Sequence, residues 1–175
     1  MAVGLIATLK MVLAGTLTNS TSGGTDTFSK VITDTFTSGT SANQATREWE
    51  DDRTLTTGAT ENIDLFDFGT LDIGGGAGLD SLGQALALTG IKGLLIQNSA
   101  SSGGNLLIGG EGSAGAWNTL FNGVDTSVIK LPAGASIMVS IPTASGLAVA
   151  DTSNHLLKMA NDSGGCTYTV HLIGI

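Results

Sequence analysis

Cysteine, proline, aromatic side chains and charge are all scarce in this chain, and each shortage removes a class of protein. The single cysteine among 175 residues, Cys166, excludes an intrachain disulfide framework and any zinc site built from several thiolates. Its setting in the apolar stretch CTYTVHLIGI predicts a buried small hydrophobe. With 2 prolines against 26 glycines, chain reversals fall to Gly, Asn and Ser. Charged residues make up 13%, and Thr, Ser and Asn take the polar positions that Lys and Glu fill on ordinary soluble surfaces. So little charge implies a surface partly covered by neighbours.

The 7 basic residues (Lys10, Lys30, Arg47, Arg53, Lys92, Lys130 and Lys158) are scattered, and 15 acidic ones outnumber them to a net −8. No footprint for phosphates results, so direct nucleic-acid binding is not expected. The chain is not disordered either, since 41% of its residues are hydrophobic. A long hydrophobic run is also missing. In MAVGLIATLKMVLAG no cation precedes the apolar residues and Lys10 interrupts them, which argues against a cleaved signal peptide or a membrane span.

What remains is a repeated grammar of short apolar runs punctuated by Gly, Asn and Pro. Val3, Leu5, Ala7, Leu9, Met11 and Leu13 alternate with a second face, predicting a strand. Gly23-Gly24 follows it, so residues 1–26 are expected to form an N-terminal strand or arm and residues 27–175 a single β-sandwich domain. Further strands are expected at 28–36, 46–57, 61–73, 127–131, 136–141, 147–150, 155–160 and 166–175. The stretch IKGLLIQNSASSGGNLLIGG, residues 91–110, reads as a central hairpin whose Asn-, Ser- and Gly-rich loop supplies positive φ. Strands at this spacing without helical crossovers predict an all-β, antiparallel sandwich and exclude a parallel α/β sheet.

Candidate chemistry is thin. Residues 110–115, GEGSAG, match a dinucleotide fingerprint in letters, but AWNTLFNG is too short for the helix that must hold the pyrophosphate. His155 and His171 lack a second imidazole at ligand spacing, no Ser sits in a nucleophile elbow, and no cofactor is expected. Within the acidic cluster at 48–52, parity puts Glu48, Glu50 and Asp52 on one side of a strand, where they could attract a hard cation, yet a solvated edge strand that discourages aggregation fits them better. Trp49 and Trp117 are candidates for stacking on a sugar, or else core side chains. Val3, Leu5, Leu9, Met11 and Leu13 are candidates for an assembly interface, because a strand edge must be covered by another chain.

From Trp49 onward the order of segments WEDDRTLTTGATENIDL, LLIQNSASSGGNLLIGG, LPAGASIMVSIP, SGLAVADTSNHLLKMAN and CTYTVHLIGI resembles small structural proteins of tailed double-stranded DNA bacteriophages. The resemblance implies a jelly-roll subunit that decorates or cements the head, a virion location, a homotrimer, and the major capsid protein or other virion subunits as partners. It implies no enzymatic role and carries over no individual residue. A tail, baseplate or head-fibre module and a carbohydrate-binding sandwich for host attachment are the alternatives.

Overall fold

The computed structural model describes residues 4–21, 23–68, 78–80 and 84–175. Alternating side chains and Gly-rich reversals produce β1 (Ala7–Asn19), β2 (Gly24–Ser38), β3 (Gln44–Ala45), β4 (Arg47–Leu55), β5 (Thr60–Asp64), β6 (Gly90–Asn98) and β7 (Leu106–Gly109). After these come β8 (Val128–Leu131), β9 (Ser136–Ser140), β10 (Leu147–Ala148), β11 (Leu156–Asn161) and β12 (Cys166–Gly174). Among the described residues the helical content is one 3-10 turn, Thr119–Phe121, and none is a helix able to cross a membrane. The protein is all-β, and its sheets are antiparallel apart from the brief parallel contact of β2 with β3.

Two sheets build the body. One runs β10-β6-β12-β4, with β9 also on β6; the other runs β5-β11-β7-β8. Their inward residues meet in a single core: Trp49, Ile96, Tyr168, Val170 and Leu172 from the first sheet, Ile63, Leu106, Ile108, Leu157 and Met159 from the second. Trp117, buried beside the 3-10 turn, closes one end and donates its indole N–H to the Ala148 carbonyl at 2.9 Å. Because side chains alternate with period two, a slip of one residue in β12 would turn Tyr168, Val170 and Leu172 outward, so burial fixes the register. The pairings are nested: β4 with β12, β5 with β11, β6 with β9 and β7 with β8.

The expected hairpin at 91–110 is not one. β6 pairs with β12, β9 and β10, whereas β7 pairs with β11 and β8 in the opposite sheet, so the intervening loop crosses between layers. Gly103 and Gly104 have ordinary φ; they serve close approach instead, since a Cβ on either would meet the backbone of Gly164 or Ser163. β6 is buried along almost its whole length, as a central strand must be, and that hides the alternation a hairpin strand would show.

The arm also differs from expectation. β1 and β2 pair from Ala7↔Phe36 to Asn19↔Gly24, so the arm is a two-stranded ribbon and the division at residues 26 and 27 falls inside β2. The Gly-Gly pair marks its tip, where Gly23 adopts φ +69° and donates its N–H to the Asn19 carbonyl.

Candidate assembly surface

The ribbon has one apolar face. Register places Ala7, Leu9, Met11, Leu13, Gly15 and Leu17 on the same side as Phe36, Asp34, Ile32, Lys30, Phe28 and Asp26. The opposite face is mostly threonine, interrupted by the Val12↔Val31 rung. At its root the apolar face sits on the outer side of the larger sheet, where Leu5, Ala7 and Leu9 pack with Phe36, Ala45 and Ile173. Gly93 makes this contact close, since a Cβ there would lie 2.8 Å from Leu9. Beyond Met11 the same face leaves the body: Leu13 is 69%, Leu17 68%, Phe28 51% and Ile32 45% exposed. The Phe28 ring covers Gly15 across the ribbon, filling the gap left by the missing side chain.

Between root and sheet lies a cleft of about 260 Å³ lined by Leu9, Gly93, Leu95, Met138, His171 and Ile173, with Glu48 at its rim. Burial, then the charge of Glu50, pushes the Glu48 carboxyl above its ordinary pKa. Glu50 reaches His171 Nε2 at 3.2 Å, and Asp52 accepts the Thr169 hydroxyl. The acidic cluster is therefore divided by strand alternation. Glu48, Glu50 and Asp52 face outward, while Asp51 joins Arg53 at 2.7 Å and faces inward. Among the described residues no three His, Cys, Asp or Glu side chains converge as metal ligands.

Arg53 links the open edges of the two sheets. It also grips Glu61 of β5, whose other oxygen accepts the Tyr168 hydroxyl at 2.6 Å. Burial, and then the bond to Glu61, raises the pKa of Tyr168 above its ordinary value. A raised folded-state value means that the native protein holds this proton more tightly than the unfolded chain does, so the contribution is complete below about pH 10 and is lost as the pH climbs further. Tyr168→Phe should cost about 1–2 kcal/mol at pH 8, from the lost bond to a charged acceptor. In urea titrations the gap between wild type and variant should shrink at pH 11; a constant gap would refute the assignment.

Of the interface residues expected from sequence, Leu5 and Leu9 are engaged with this chain's own body, Met11 is half-buried, Leu13 is free to meet another molecule, and Val3 lies outside the described residues. Trp49 and Trp117 are each 2% exposed, and Trp49 packs on Phe68 with ring centroids 5.1 Å apart, so neither ring is open to stack on a sugar. Cys166 is buried in the core. His155 Nδ1 lies 2.9 Å from Asp64, at the far sheet from the cleft. Residues 110–115 form a loop, without the helix a pyrophosphate would need.

One important residue escaped the sequence reading. Lys92, at a bulge in β6, is 0% exposed, and its ammonium donates to the carbonyls of Thr143 and Ala144 and reaches Ser41 at 3.5 Å. It ties the segment between β2 and β3, where the ribbon is rooted, to the loop before β10. The only signal was a lone cation inside IKGLLI.

Fold and surface together define a class: an antiparallel sandwich from which a firmly rooted, largely uncovered apolar ribbon extends. No family model matches this chain, and neither does any curated protein.

Proposed function

We propose that this chain is a virion structural protein, a capsid decoration or cement subunit of the kind found in tailed double-stranded DNA bacteriophages, and that it stabilises the head by bridging subunits. The observation carrying this reading is the ribbon: Leu13, Leu17, Phe28 and Ile32 stand in solvent on one continuous face. An isolated two-stranded ribbon is marginal in water and exposes two unpaired edges, so its length makes sense when another chain covers it. The nested pairing of β4 through β12 supports a jelly-roll body, in which one long folded-over ribbon of strands wraps around the core. The absence of a formed catalytic constellation in the sequence fits a structural role, as does the low charge.

The test is to replace residues 11–32 with a short turn, keeping the root intact. The body should retain its unfolding transition, while incorporation into particles falls at least about tenfold and particle heat resistance drops with it. Full incorporation of the shortened chain would overturn the proposal.

A further inference from the structure

We infer that the exposed half of the ribbon docks on the outer face of the larger sheet of a second copy, in the cleft beside that copy's own ribbon root. This rests on the bridging role proposed above and names the partner.

Continuity is the first argument. The face that projects is the same face that, a few rungs nearer the root, already packs on this sheet through Ala7, Leu9 and Phe36. A neighbour's Leu13 and Ile32 would extend that contact onto Leu95 and Met138, the apolar residues left open in the cleft.

Charge is the second. Lys30 lies on the apolar face between Ile32 and Phe28 and has no ion-pair partner among the described residues, while Glu48 lines the cleft and Glu50 reaches His171, which also lines it. Residues 1–38 hold 2 Lys and 2 Asp, so the whole −8 resides in the body. On the same face Asp34 lies nearer the root and Asp26 nearer the tip, each four residues from Lys30. A cation arriving at the cleft would relieve the mutual repulsion of Glu48 and Glu50.

Reach and area decide between arm-on-body and arm-on-arm packing. From Met11 to Asn19 the ribbon projects about 27 Å, against a body about 35 Å across, so it spans to an adjacent body. Two ribbons laid face to face would bury only a strip about 10 Å wide, far short of the roughly 800 Å² per partner of a stable interface. Docking on a body adds the contact between the bodies themselves. Donor and acceptor surfaces differ, so each copy gives one ribbon and receives one: reciprocal exchange makes a twofold dimer, and head-to-tail exchange makes a ring where the rotation closes.

Purified full-length protein tests this in the absence of any other virion component. Sedimentation should show an oligomer, and Lys30→Glu, a surface change that leaves the body intact, should weaken association at least about tenfold. Lys30→Cys and Glu50→Cys variants, mixed and treated with a short bismaleimide, should give mixed dimers that neither variant forms alone. Dimers of Lys30→Cys alone would show arm-on-arm packing and overturn the inference, as would a monomer at 100 µM. If that monomer still enters particles through its ribbon, the bridging role stands and only self-docking falls.

Discussion

Lys92→Ala is expected to lower the stability of the folded protein by about 3–5 kcal/mol, read as a shift of denaturant midpoint at unchanged slope. The loss has two parts. Truncation empties a site in which the side chain is fully enclosed, and it strands the carbonyls of Thr143 and Ala144, which have the ammonium as donor. Hydrogen bonds to a charged donor contribute about 1.5–3 kcal/mol, less here because Thr143 and Ala144 are exposed residues whose carbonyls water can reach. Burial lowers the pKa of Lys92. Lys92→Met refills the volume without the donors and should recover about half of the loss. Because Ser41 lies between β2 and β3, both variants should also become more sensitive to proteolysis at the ribbon root. Equal stability of Lys92→Ala and wild type would show that the clasp contributes nothing.

Gly104→Ala should be nearly as damaging, at about 3 kcal/mol or more, for a purely steric reason. A Cβ at this position would fall 1.4 Å from the Ser163 carbonyl oxygen and 2.6 Å from its carbon, and backbone cannot swing aside as a long side chain can. The loops joining β6 to β7 and β11 to β12 would have to separate, opening the end of the sandwich near Cys166. Gly112→Ala is the control. There φ is +69° and nothing lies within 4 Å, so only dihedral strain of about 1 kcal/mol is expected. If the two variants unfold at the same midpoint, the loop contact is not tight.

These two positions also show what could be read from the sequence and what could not. Alternation placed the strands from β4 to β12 well, because half-buried strands reveal their period: in β12, Cys166, Tyr168, Val170 and Leu172 face in, while Thr167 and His171 do not. Partners are another matter. A glycine pair signals equally a reversal, as at Gly23-Gly24, or a close approach between loops, as at Gly103-Gly104, and only the second chain segment distinguishes them. The assembly surface was half legible. The apolar parity of β1 was plain, but the division of that face between own body and solvent depends on where the sheet ends, which no local pattern records. The matching face of β2 was hidden because Asp26, Lys30 and Asp34 interleave with Phe28, Ile32 and Phe36. Trp49 and Trp117 illustrate the reverse: aromatic residues suggest a ligand in sequence, and packing takes them into the core.

The nesting of the strands has a kinetic consequence. β4 finds its partner in β12, at the far end of the body, so the larger sheet cannot close until nearly all the intervening chain has been synthesised and gathered. Such non-local pairing puts folding in the millisecond-to-second range. The β1–β2 ribbon needs only its own tip turn and can zip within about 1–10 µs. During synthesis it emerges before the sheet that receives its root exists. Its apolar face is then at its most exposed, and crowded nascent chains would associate through it prematurely. Ribosome-bound chains stalled before β12 are thus the species in which a chaperone requirement should be sought.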